Sequence, residues 1–235
     1  MNREIPMALR EVRKPNMSIN KLGEFLTTNP QRQRRILEQL KYPNESRYGA
    51  TAYQSSRNII KRYFIEGFDE QILLKGIETL KRKKPENEYQ VGMVNSEIEA
   101  LEKVQKTNCI EQERYSYEIY SGNNPKLDIH GVKVSVYPDL IVRQQFRGKS
   151  FVGGLKIHLS KTNSIEEEGS GYISTILCKF VEEEIAKEDE VSKNRLNISY
   201  DVFNDNFITC PASVQRRWDH INAACQNIIA IWDSI

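Results

Sequence analysis

The hydrophobic period of this chain changes once, near Lys126, and that change limits what it can fold into. Before it, apolar residues recur every three or four positions, the repeat of an amphipathic helix. Val91, Val94, Ile98, Leu101 and Val104 form one such stripe, and Ile72, Leu73, Ile77 and Leu80 form another. Start and stop signals divide the region into five helices. Ser18 or Asn20 can cap the first, around Leu22, Phe25 and Leu26. Thr28 or Asn29 ahead of Pro30 opens the second, which carries Ile36, Leu37 and Leu40 and ends before Pro43. Proline suits the first helical position and blocks an interior one. The third runs from about Ala50 to Glu66 and breaks at Gly67-Phe68. The fourth starts near Asp69 and ends in the basic run Lys81 to Lys84, before Pro85. The fifth spans Tyr89 to Gln105.

After Lys126 apolar and polar residues alternate, as on a half-buried strand. Leu127 to Gly131 and Val132 to Asp139 show this, with Gly131 marking a tight turn or bulge. Leu140 to Val142 continues the extended run, a basic turn follows over Arg143 to Lys149, and Phe151 to Leu159 is a further strand. Ser164 with Glu167 reads as a capping box for a helix carrying Ile173, Ile176, Leu177, Phe180, Val181 and Ile185. Residues 195–209 are extended, with Leu196, Ile198, Tyr200 and Val202 on one face. The last helix carries Val214, Trp218, Ile221, Cys225, Ile228 and Trp232. The expected fold class is α/β (α+β): a helical region over residues 1–110 attached to a mixed-sheet sandwich over 111–235.

The chain of 235 residues is long enough to bury a core without disulfides or a structural metal. Lys plus Arg is 34 and Asp plus Glu is 32, so a net charge of +2 marks no global affinity for polyanions. A nucleic-acid surface has to be a local patch. No apolar run approaches the ~18 residues of a membrane span, and the opening MNREIPMALREVRK places charges inside its apolar run, unlike a secretory signal. The expectation is a cytoplasmic protein with no membrane partner. Cys109, Cys178, Cys210 and Cys225 are irregularly spaced with no CxxC pair, which argues against structural zinc, and Cys178 and Cys225 read as small buried hydrophobes. No GxxxxGK[ST] loop, strand-linked GxGxxG or nucleophile elbow is present, so the usual nucleotide-binding and serine-hydrolase classes are poorly supported.

One constellation has chemical potential. Tyr137-Pro138-Asp139 ends a strand pattern, and Lys156, His158 and Ser160 share one face of the next strong strand, opposite Leu155, Ile157 and Leu159. A hairpin over Val132–Asp139 and Phe151–Leu159 brings Asp139 and Lys156 together on its polar side. A carboxylate there can hold Mg²⁺, which keeps several waters and takes one or two protein carboxylates. The metal polarises a phosphodiester and lowers the pKa of bound water, while a lysine stabilises developing negative charge. The plainer readings stand beside this one: Asp139 as a turn residue, Lys156 as a solvated strand residue, His158 as structural.

On Pro138-Asp139, the strand Gly154-Leu155-Lys156 and the order strand–strand–strand–helix–strand–helix over about residues 115–235, the chain resembles the PD-(D/E)XK nuclease superfamily. The resemblance implies a core of that fold, Asp139 as a metal ligand, Lys156 as the catalytic lysine and Mg²⁺ (or Mn²⁺) as cofactor. It departs from the pattern where the second acid belongs, two residues before the lysine, because that position is Gly154. Some members carry the acid on the following helix instead; here Glu168, twelve residues after Lys156, is the candidate, beside Glu166 and Glu167. Glu111 or Glu113 is a further candidate ligand. The activity implied is metal-dependent hydrolysis of nucleic acid, DNA first, in bacterial defence or mobile-element biology.

Arg143, Arg147 and Lys149, in the loop between the two candidate strands, form the leading nucleic-acid-binding group. Arg32, Arg34 and Arg35, Lys81 to Lys84, and Arg216 and Arg217 are other basic groups. The alternative function is a catalytically inactive nuclease-fold subunit that binds nucleic acid, a partner protein or a second copy of itself; Gly154 favours it.

Overall fold

Capping residues fix the helices where the sequence marks them. The computed structural model describes residues 12–43, 53–107, 115–123, 125–161 and 165–235. A short strand β1 (Asn16–Ser18) leads into α1 (Ile19–Thr27), where Ser18 accepts from the Lys21 amide. Asn29 accepts from the Arg32 amide and opens α2 (Pro30–Lys41) with proline at its start. The helices α3 (Gln54–Ile65), α4 (Glu70–Lys81) and α5 (Glu88–Lys106) follow. Asp69 caps α4 and Asn87 caps α5, each satisfying an amide that a helix start leaves unpaired. Glu111, Glu113, Cys109 and Ser164 lie outside the described residues.

The strands build two sheets. In the larger, β2 (Ser116–Ile119) pairs antiparallel with β5 (Leu140–Phe146), and β5 with β6 (Lys149–His158). β6 runs parallel to β7 (Glu190–Ser192) and β8 (Ile198–Asp201), and β8 is antiparallel to β9 (Asn206–Thr209). The parallel β6–β8 step needs a crossover, supplied by α6 (Glu167–Phe180) and a π-helical turn over Val181–Ile185. In the smaller sheet β3 (Lys126–Ile129) and β4 (Val132–Ser135) form a hairpin, and β1 adds in parallel to β4. The β3–β4 turn is tight: His130 has φ 50° and Gly131 φ 90°, the left-handed pair that a two-residue hairpin requires. The last helix, α7 (Gln215–Trp232), buries Ile221, Cys225, Ile228 and Trp232 of its expected stripe.

Two features differ from the sequence reading. The extended run from Val132 does not continue to Asp139. β4 stops at Ser135, Tyr137 takes φ 39°, and the chain crosses from the small sheet to the large one at Pro138. The partner of β6 is therefore β5, not the Val132 strand. Alternation assigns faces but not pairing partners, which is why the two runs looked continuous.

The described residues of the helical region pack on the sheet from both sides. Ile19, Leu22, Ile36 and Leu37 pack with Val132, Val134, Ile173, Leu177 and Ile228 on one side of the large sheet. Ile60, Phe64, Leu73, Leu80 and Leu101 pack with Leu140, Val142, Leu155, Ile157 and Tyr200 on the other. Both cores draw on residues from either side of the expected boundary, because each face of a central sheet needs a covering layer. Among the described residues no helix is long and apolar enough to cross a membrane.

Candidate charged centre and nucleic-acid interface

Strand β6 outruns its partner, and that mismatch positions the charged centre. The last β5–β6 pair is Leu140 with Leu155. Beyond it, the backbone of Ile157 faces the space that the chain vacates at Tyr137-Pro138. Buried N–H and C=O groups without a ladder need other partners. The Asp139 carboxylate supplies one, its Oδ2 accepting from the Ile157 amide at 2.8 Å. Arg57 of α3 supplies the other, Nη1 donating to the Ile157 carbonyl at 2.8 Å and to Asp139 Oδ1 at 2.9 Å. Lys156 Nζ donates to the Tyr137 carbonyl at 2.6 Å and lies 3.4 Å from Asp139 Oδ2.

Asp139 and Lys156 therefore meet, as the sequence reading expects. The third member, Arg57, is missing from that reading: it is 82 residues away from Asp139 and sits on an ordinary helical pattern. Asp139 is 8% exposed, so both of its oxygens are committed inside the protein. Burial alone pushes its carboxyl up, but Lys156, Arg57 and the Ile157 amide outweigh that and hold it below the usual carboxylate range. A carboxyl depressed on folding contributes stability that is fully present above its unfolded pKa of about 3.9 and lost as pH falls through the folded value. The stability gap between wild type and Asp139→Asn is thus expected to be constant above about pH 5 and to shrink steadily below about pH 4. Urea titrations at a series of pH values check this; an equal gap at neutral and at strongly acidic pH would contradict it.

The surroundings do not suit a divalent cation. Two fixed cations already neutralise Asp139. The position of the missing second acid is crowded: a Cβ on Gly154 would lie 3.0 Å from Leu177 Cδ1 of α6, which would have to give by a few tenths of an ångström. Gly153 is pressed from the opposite face, where a Cβ would fall 2.3 Å from the Leu196 carbonyl oxygen. Glu168 does not join Asp139. It lines a cleft with Tyr172, Ser213, Arg216, Arg217 and His220, to which neither β5 nor β6 contributes. Asn20 Nδ2 donates to His158 Nδ1 at 3.1 Å and ties α1 to β6. Among the described residues no three His, Cys, Asp or Glu side chains converge as a metal site.

No family model matches the chain, and no curated protein matches it.

The basic loop resolves into two parts. Arg143 is consumed by Glu118 and Glu190, which clamp its guanidinium from β2 and β7. Arg147 and Lys149 stand at the hairpin tip, where Arg147 and Gly148 take φ 50° and 72°. The strand rise of about 3.3 Å per residue puts this tip more than about 20 Å from Asp139. The segment that follows β7 brings two further cations beside the hairpin. Lys193 Nζ lies 4.1 Å from the Phe151 ring centroid and 5.8 Å from that of Phe146. Arg195 donates to Gln144 at 2.9 Å, and Arg147 stacks 5.1 Å from the Phe146 ring. Phe146 is itself 49% exposed. Burial, and then the charge of Arg195, pull the Lys193 ammonium below its ordinary value. Lys193 and Arg195 escaped the sequence reading because they lie in a polar stretch far along the chain, and only β-pairing places them here.

Proposed function

We propose that this protein is a non-hydrolytic subunit with a nuclease-like α/β core that binds nucleic acid at the β5–β6 hairpin tip. One observation carries the first half: the Asp139 carboxylate is saturated by Arg57, Lys156 and the Ile157 amide, and serves to finish the sheet where β5 ends. The tip supports the second half. Arg147, Lys149, Lys193 and Arg195 make no ion pair among the described residues, and they surround an exposed phenylalanine. Cations that contact phosphates beside an aromatic ring that stacks on an unpaired base are the elements of single-strand binding.

Anisotropy titrations with labelled single-stranded and duplex DNA, at two salt concentrations and without divalent metal, test this. Single strands are expected to bind more tightly than duplex, and affinity to fall with salt. Removing Arg147 and Lys149 together is expected to flatten the log–log salt slope by about 1.4, at about 0.7 per lost single-strand phosphate contact. Phe146→Ala is expected to weaken single-strand binding by about 1–3 kcal/mol and leave that slope unchanged. Binding that is indifferent to all three positions would remove the proposal.

The contact between Lys156 and Asp139 favours one second reading, a metal-dependent phosphodiesterase. The same DNA incubated with Mg²⁺ or Mn²⁺ decides between the two. Cutting that Lys156→Ala abolishes in a folded protein would establish the hydrolytic reading; intact substrate supports the subunit.

A further inference from the structure

The cleft between α6 and α7 is distinct from both the charged centre and the hairpin tip. It encloses about 600 Å³ and is lined by Glu168, Tyr172, Ser213, Arg216, Arg217 and His220. Arg217 is seated rather than free. A Cβ on Gly171 would fall 2.8 Å from Arg217 Nη2 and 2.9 Å from its Cζ, so the guanidinium packs directly on the helix at that glycine. Its Cζ also lies 6.0 Å from the centroid of the buried Tyr172 ring. A planar group held between a backbone and a ring is oriented before any ligand arrives.

The cleft is electropositive. Neither Arg216 nor Arg217 makes an ion pair among the described residues, and Asp219, one turn on, accepts instead from Gln215 at 2.7 Å. The opening of α7 adds to this. Val214 supplies no side-chain cap and the first turn holds no acid, so the partial positive charge of the first amides is not offset there. The Tyr172 hydroxyl lies 2.5 Å from His220 Nδ1. That bond holds the imidazole at the cleft wall, and its Nε2 makes no hydrogen bond among the described residues.

The geometry points to a binding site for a terminal phosphate, carried on a nucleotide or on the end of a nucleic-acid strand. A carboxylate is satisfied by one bidentate arginine, whereas a phosphate monoester offers three oxygens and two negative charges to two guanidiniums, a hydroxyl and an imidazole. The volume leaves space for the group that bears the phosphate. The site stands independently of the hairpin tip and of the reading given to it.

Calorimetric titration of the full chain tests it, with inorganic phosphate, adenosine 5′-monophosphate, and a short oligonucleotide with either a 5′-phosphate or a 5′-hydroxyl. Saturable one-to-one binding of a phosphate-bearing probe, with Kd near or below about 1 mM, is expected. Arg216→Gln and Arg217→Gln are each expected to weaken it at least about tenfold, and Lys75→Gln, on the exposed side of α4, to leave mononucleotide binding unchanged. Arg216 is exposed, so its variant is expected to melt like wild type and to remain informative if Arg217→Gln unfolds. A mononucleotide that binds where the phosphorylated strand does not identifies a free nucleotide as the ligand; a strand that binds only with its 5′-phosphate identifies the strand end. Absence of saturable binding by every phosphate probe, or binding unchanged in a folded Arg216→Gln protein, would overturn the site.

Discussion

Asp139→Ala is expected to destabilise the protein by about 3 kcal/mol or more, whatever its effect on nucleic acid. The substitution leaves Arg57 and Lys156 facing each other, 24% and 14% exposed, without the carboxylate that neutralises both. It also orphans the Ile157 amide, and a buried donor without a partner accounts for about 1–3 kcal/mol of that figure. Asp139→Asn is expected to cost less, since an amide oxygen can still accept from Ile157 while its NH₂ opposes Arg57. Urea unfolding of the two variants measures this. The decisive comparison is a double-mutant cycle with Arg57→Ala, in which a coupling of at least about 1 kcal/mol is expected for groups in direct contact. Additive single effects would mean that the ion pair contributes nothing. The result also bears on any cleavage assay, because loss of activity in Asp139→Ala is interpretable only alongside its unfolding curve.

Gly154→Asp, which restores the acid that the resemblance lacks, is expected to destabilise rather than to create a metal centre. A Cβ there must displace Leu177, which is fully buried, by a few tenths of an ångström. Gly154→Ala measures that displacement alone, and its cost is expected to be about 1–3 kcal/mol, the range for overpacking. The aspartate adds a carboxylate buried under α6, and several kcal/mol more. Truncating Leu177 to Ala in the same chain is expected to relieve the Ala variant and not the Asp variant, which separates crowding from desolvation. A Gly154→Asp protein with wild-type stability and new Mg²⁺-dependent cutting would refute this account and reinstate the nuclease.

Local physics was legible in the sequence wherever one segment sufficed to express it. Ser18, Asn29 and Asp69 cap the helices near which they stand, because a cap needs only the three residues that follow it. Leu155, Ile157 and Leu159 fall in one core and Gly154 faces α6, as strict alternation requires. The adjacency of Asp139 and Lys156 was also foreseeable, since a hairpin of short reach brings them together even though the strand assigned to Asp139 was the wrong one. Cys178 and Cys225 are buried, as their apolar surroundings implied.

What the sequence by itself determined is most of the elements: the helices, the strands around Leu127, Val132, Leu155 and Ile198, and which side of each is apolar, but not the short strands β1, β2 and β7. Only the tertiary structure decided what the charged residues do. Arg57, Lys193 and Arg195 reach their positions through packing and pairing across tens of residues, and no periodicity encodes such partners. A carboxylate beside a lysine reads as a metal ligand on one strand pair. In the folded chain an arginine from α3 joins that pair, because the energy of a buried charge is set by its neighbours in space rather than by its neighbours in the chain.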